Sequence, residues 1–195
     1  MSILTLNRES GRKLIHLGSS VIPLGYWIVG RERAIIFLIV MTLVMIMFEF
    51  TRMNTAWGRR LYYRFFGFVT RPSEEHRPTG GMYVFVGYLL AAILFAPVIA
   101  ILSMLFMSIG DTAAALVGQR YGRTPIGNKT LEGTLACFLV CLLLALPADL
   151  TLLVRIGGAA SAALAELIPW PFLNDNITIP VLSGGAMTIL VATGL

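Results

Sequence analysis

Asp111 lies inside a long apolar run, where an ionisable side chain is costly and marks function by default. Around it, from Ser108 to Gly133, the chain reads SIGDTAAALVGQRYGRTPIGNKTLEG, the one stretch that packs carboxylates, cations and glycines between two apolar segments. Arg120, Arg123 and Lys129 alternate with Gly118, Gly122 and Gly127, and Glu132 opens the next apolar run. Such cations neutralise phosphates, and glycines let a backbone come close to them. The positive end of the helix expected after Lys129 attracts anions as well. Asp111 and Glu132 are hard oxygen donors of the kind Mg²⁺ takes. The expected chemistry is therefore a nucleotide and Mg²⁺ site at a membrane surface.

Within this stretch, GRTPIGNKT is one residue away from the pattern G-x-x-x-x-G-K-[ST] of a P-loop, because Asn128 is inserted between Gly127 and Lys129. The preceding element reads as a membrane helix and not as a parallel strand, so a P-loop fold is excluded. Three outlying groups add to the candidates. His16 falls one turn inside the first apolar run, either within reach of a lipid headgroup or a phosphate or, as a neutral imidazole, bonded to a neighbouring helix. Glu49 and Arg52 stand three apart on one helix face, either as a structural ion pair or facing the same cavity as Asp111. Asp175, between Asn174 and Asn176, is either turn chemistry or a further oxygen ligand.

The elements that must position these groups are read from composition. Mean hydropathy is +0.81, 57% of residues are apolar and only 13% are charged, where soluble chains carry about a quarter. This describes an all-α integral membrane protein, a single domain over residues 1–195. The runs are continuous and do not alternate, which excludes a β-barrel. About seven transmembrane helices are expected in one bundle, at Leu14–Gly30, Ala34–Phe50, Met82–Ala96, Pro97–Gln119, Leu131–Pro147, Leu150–Ile168 and Ile177–Leu195. The first lacks a cleavage site and reads as a retained span.

If these spans alternate, twelve of the fifteen cations fall on the side of the N-terminus and only Arg31, Arg33 and Arg155 on the other. The bias predicts a cytoplasmic N-terminus and a cytoplasmic Arg120–Lys129 loop. It also explains the net charge of +5 by topology, with no need for nucleic acid. Between Arg52 and Thr79, Trp57, Leu61, Phe65 and Phe68 recur at three- and four-residue spacing with Arg59, Arg60 and Arg64 between them. That is a basic amphipathic helix for the cytoplasmic interface and a side wall past which a lipid can enter. Gly110, Ala114 and Gly118 form a small-residue stripe that admits another helix closely. Cys137 and Cys141 read as core residues.

These motifs together resemble the CTP-dependent lipid-alcohol kinases, a family that includes dolichol kinase, phytol kinase and the CTP-using diacylglycerol kinase. The resemblance lies in Arg12-Lys13-x-x-His16, Glu49-x-x-Arg52, the Glu74–Tyr83 region, SIGDTAAALVGQRYGR with NKTLEG, and Glu166 with NDNITIP. More distantly, Gly110-Asp111, Gly118-x-Arg120-x-Gly122 and Lys129-Thr130-x-Glu132-Gly133 are similar to the core of CDP-diacylglycerol synthases. The resemblance implies transfer of the γ-phosphoryl group of CTP to a lipid hydroxyl, giving CDP and a lipid phosphate. The residues themselves are as compatible with ATP.

On this reading Asp111, Lys129 and Glu132 are catalytic. Gly118, Arg120, Gly122, Arg123, Lys129 and Thr130 hold the nucleotide, His16, Glu49 and Arg52 meet the lipid, and Asp111, Glu132 and Asp175 bind Mg²⁺. The expected partners are the nucleotide, a polyprenol, phytol-type or diacylglycerol acceptor and the bilayer, with a homo-oligomer left open. The alternatives are a cytidylyltransferase making a CDP-lipid and a non-enzymatic transporter. The transporter is disfavoured because the chain lacks paired broken helices in its two halves.

Overall fold

The structure, a computed structural model, describes residues 3–70, 74–75, 77–169 and 174–194, with side chains from residue 11 onward. The order is α1 (Ile3–Gly18), α2 (Val21–Val29), α3 (Arg31–Asn54), α4 (Ala56–Phe66), α5 (Gly80–Leu94), α6 (Pro97–Leu105), α7 (Asp111–Tyr121), β1 (Pro125–Ile126), β2 (Lys129–Thr130), α8 (Leu131–Ala145), α9 (Leu152–Leu167) and α10 (Asp175–Ala192). From α6 to α7 the rod is continuous but widens over Phe106–Gly110 into a π-helical turn, and Asp111 is the first residue past it. The architecture is all-α. Its two strands form only a hairpin, turning through Gly127 at φ 58°, a conformation glycine adopts without steric cost.

Among the described residues, three helices are long and apolar enough to cross a membrane: Arg31–Asn54, Pro97–Tyr121 and Asp175–Ala192. Two shorter apolar helices, Gly80–Leu94 and Leu131–Ala145, stand beside them. Seven spans were expected. The first of those, Leu14–Gly30, is not one helix. The Ser19 hydroxyl donates to the His16 carbonyl and the Ser20 hydroxyl to the Leu17 carbonyl, each at 2.6 Å, where α1 ends. Serine side chains compete in this way with the helical backbone. The nine residues of α2 that follow then reverse into α3 through Gly30 at φ 83°.

α10 packs on α9, α5 and α6, while α8 lies between α7 and α9. Small residues set these approaches. A Cβ on Gly87 would collide with the Asn176 carbonyl oxygen at the start of α10, and Asn176 Nδ2 donates to the Gly80 carbonyl at 2.9 Å. Gly87→Ala is therefore expected to push α5 off α10 at a cost of roughly 1–3 kcal/mol. The loss will be read as a lower Tm in detergent, and a parental Tm would show that the contact yields easily. The Gly110–Ala114–Gly118 stripe is filled within the chain. Gly110 makes room for Cys141 and Cys137, Gly118 for the Thr130 hydroxyl, and the Ala114 carbonyl lies against Gly133. Both cysteines are buried, as expected, with their sulfurs 3.9 Å apart.

Candidate functional site

Four helices and the hairpin bring charge together. Asp111 begins α7, almost fully buried. Lys13, ninety-eight residues earlier on α1, donates to Asp111 Oδ2 at 2.5 Å and to the Asp111 carbonyl at 3.3 Å. On the other side β2 presents Lys129, whose Nζ bonds Glu166 Oε1 at 2.6 Å and Asp175 Oδ2 at 3.3 Å. Glu166, near the end of α9, is only 3% exposed and also accepts from the Thr134 hydroxyl at 3.4 Å. Asp175 opens α10, where the N-terminal end of the helix favours a carboxylate. Burial alone would push the Lys129 ammonium down. Asp175, Glu166 and Asp111 outweigh that effect, and its pKa is pushed up to about 12.

The site residues expected from sequence are thus divided among several structures. Asp111, Lys129 and Asp175 join one network, to which the structure adds Lys13 and Glu166. Glu132 does not join it. Its two carboxylate oxygens accept from the Thr124 amide at 3.1 and 3.2 Å and close the hairpin loop. Thr130 caps α8 by accepting from the Gly133 amide at 3.2 Å. Gly118 and Gly122 take the Thr130 side chain against them, so their small size already serves loop packing. Arg120, stacked 5.6 Å from the Tyr121 ring, and Arg123 are exposed beside the hairpin, and neither makes an ion pair among the described residues.

Glu49 and Arg52 form the structural pair. Arg52 Nε donates to Glu49 Oε2 at 2.7 Å, and its Nη atoms donate to the Glu74, Glu75 and Arg77 carbonyls. Glu49 Oε1 accepts from the Thr79 amide at 3.1 Å and from the Thr79 hydroxyl. The clamp fixes the approach to α5, and Arg52 also lies 5.0 Å over the Tyr62 ring. Arg52 is 1% exposed, so Glu49→Ala is expected to strand a buried guanidinium and destabilise the fold by about 3–5 kcal/mol. Thermal unfolding in detergent checks this, with Glu49→Gln expected to retain part of the loss.

Behind the clamp an apolar cavity of about 300 Å³ lies between α1, α3, α4 and α5, walled by Met45, Phe48, Phe66 and Phe85, with Arg12, His16 and Glu74 also on its lining. His16 is one helical turn from Lys13. α1 is therefore the seam between the apolar cavity and the charged network. The expected helix after residue 56 is α4, which leaves Trp57, Phe65, Arg59, Arg60 and Arg64 exposed. His76 of the motif region lies outside the described residues.

A yeast kinase decides the family. Over 72% of this chain and 73% of its own length, the CTP-dependent diacylglycerol kinase 1 of Schizosaccharomyces pombe is 30% identical to it. The chain belongs to the CTP-dependent lipid kinase family. Its counterpart in Saccharomyces cerevisiae is 28% identical over 95% of this chain and 74% of the kinase. An uncharacterized protein of Rickettsia prowazekii is 26% identical over 89% and 90% of the two chains. No family model and no solved structure matches the chain. Such kinases need groups that neutralise a triphosphate beside groups that admit a lipid, and the two environments of α1 have those characters.

Sequence reasoning passed over two residues of the network as site residues, Lys13 and then Glu166. For Glu166 the available signal was a lone carboxylate in an alanine-rich apolar helix.

Proposed function

We propose that this protein transfers the γ-phosphoryl group of CTP to the hydroxyl of a membrane lipid alcohol, with diacylglycerol as the first acceptor to test. The observation that carries the reading is that α1 carries both Lys13, paired with Asp111, and the His16 wall of the apolar cavity, while the Lys129–Glu166–Asp175 ion pairs add to the charge around Asp111. The relatives whose names specify CTP and diacylglycerol support it.

In the proposed reaction the lipid oxygen bonds to the γ-phosphorus, the bond from that phosphorus to the β–γ bridging oxygen breaks, and CDP departs with its electron pair. Such transfer rests on positioning and charge neutralisation. Lys129, Arg120 and Arg123 neutralise the phosphates from the hairpin side. His16, on the cavity wall one turn from Lys13, orients the acceptor hydroxyl and takes its proton. Lys13 holds Asp111 in place.

Among the described residues no three of His, Cys, Asp and Glu stand close enough to form a metal cage. Mg²⁺ seldom requires one, since one or two carboxylates and substrate phosphate oxygens suffice. Asp111, paired with Lys13, and Asp175, paired with Lys129, are hard oxygen donors, and they would hold it. Glu132 is set aside as a ligand because it closes the hairpin loop. When bound, the ion would withdraw charge from the phosphates being separated.

The test uses purified protein with Mg²⁺, a panel of lipid alcohols and CTP labelled at either the α or the γ phosphate. Label reaching lipid from the γ position supports the kinase. Label from the α position would mean cytidylyl transfer, and no label from either, together with substrate flux in liposomes, would mean a transporter.

A further inference from the structure

We infer that the cavity between α1, α3, α4 and α5 is the acceptor subsite, holding the carbinol and adjoining hydrocarbon of the lipid, and that Gly81 sets its breadth. The inference rests on the phosphoryl-transfer reading for its chemistry, but its geometry stands on independent observations.

The lining has the polarity of an amphiphile. Its body is Met45, Phe48, Phe66 and Phe85, while Arg12 and Glu74 supply a hydrogen-bond donor and an acceptor. The Arg12 guanidinium and the Glu74 carboxylate both lie 3.7 Å from the point where a Gly80 Cβ would stand, so the two polar groups meet at a single spot on the wall. A lipid with one hydroxyl or ester group at the end of an apolar chain matches this pairing, and a free nucleotide does not.

The lateral wall fits a bilayer-borne ligand. α4 turns Tyr62 and Phe66 toward the cavity while Trp57, Phe65 and three arginines remain exposed, so the cavity is bounded by the helix suited to the interface. At about 300 Å³ it lies at the small end of ligand pockets. It would accommodate the region next to the reacting oxygen and leave the remaining chain in lipid.

Gly81 lines this space. A Cβ there would meet only the Met45 methyl at 3.5 Å and the Thr79 hydroxyl at 3.8 Å, both ordinary contacts. A larger side chain would therefore extend into the cavity and not into packed backbone, and Thr79 beside it is pinned by Glu49. The breadth available to the lipid is set by a residue with no side chain.

The test uses a diacylglycerol carrying a diazirine on the acyl chain close to the glycerol, with the purified protein in nanodiscs and without CTP, so that labelling does not depend on turnover. Peptide mapping is expected to place label on Met45, Phe48 or Phe85. Gly81→Leu is expected to reduce that label at least fivefold and to raise the KM for diacylglycerol about tenfold, with the KM for CTP unchanged. Gly81→Ala, whose methyl fits at contact distance, is expected to fold as the parent does and give an intermediate effect. Leu139→Phe, on the exposed outer face of α8, is expected to change neither readout. The inference is overturned if the parent protein phosphorylates the lipid but the label falls only on outer residues such as Leu139 and Leu143. It is equally overturned if both Gly81 variants keep parental labelling and acceptor KM. Cavity labelling in a protein that transfers no phosphate would uphold the subsite while rejecting the kinase.

Discussion

Asp111→Asn is expected to lower lipid phosphorylation by about 10³-fold while leaving the protein in the membrane fraction. The substitution keeps the size of the side chain and removes its charge, and losses of a centrally placed charged group in a preorganised site fall in the range of about 10²–10³. A second effect accompanies it. Lys13, whose side chain is 15% exposed, loses the partner 2.5 Å away, and breaking a buried pair from one end is strongly destabilising. The two effects separate in the double variant Lys13→Met with Asp111→Asn. Replacing both members of a buried pair by neutral groups is often neutral for stability, so the double variant is expected to regain the parental Tm without regaining turnover. Recovery of both would reduce Asp111 to a counter-ion.

Lys129→Ala is expected to cost about 10²–10³-fold in turnover with CTP and to raise the KM for the nucleotide. This ammonium is shared between Glu166 and Asp175, so its loss leaves the buried Glu166 carboxylate without its ion-pair partner. Lys129→Arg is expected to rescue little, because a planar guanidinium does not reproduce a point charge placed between two carboxylates. The pH profile adds a check. With the folded pKa raised to about 12, the stability that Lys129 contributes is complete below the ordinary lysine value and is lost only as pH rises through about 12. Between pH 6 and 9 its titration should leave no trace in either stability or rate, and an inflection there that disappears in Lys129→Ala would contradict the geometry.

Much of the candidate site was legible because charge beside hydrocarbon is conspicuous. Asp111 and Lys129 stood out by residue type alone, and the hairpin between α7 and α8 was legible as something other than a P-loop. Partnership was not legible. Lys13 reads as a topology anchor until the fold carries α1 across ninety-eight residues of sequence to α7.

Glu132 has the residue type and spacing of a ligand, but a first-turn glutamate also satisfies nearby amides, and here the Thr124 amide is closer to hand. The glycines at 118 and 122 suggest room for phosphate, whereas it is Thr130 that uses the room. The first expected span is divided for a local reason, since a hydropathy window averages over two serines that the backbone does not ignore. Glu49 and Arg52 show the reverse case, a pair whose structural meaning was available from i, i+3 spacing and whose role as a clamp on Thr79 required the fold.

The widened turn at Phe106–Gly110 gives the rod from Pro97 to Tyr121 two angular phases instead of one. The half that meets the core keeps its own rotation, and the half that begins at Asp111 is offset from it, so the direction of the carboxylate is decoupled from the pattern of apolar residues before it. A regular α-helix built from the same residues would swing the carboxylate by roughly 100° about the axis, away from α1. Such irregular turns recur at functional sites, and here the irregularity acts as the azimuthal setting of the active carboxylate.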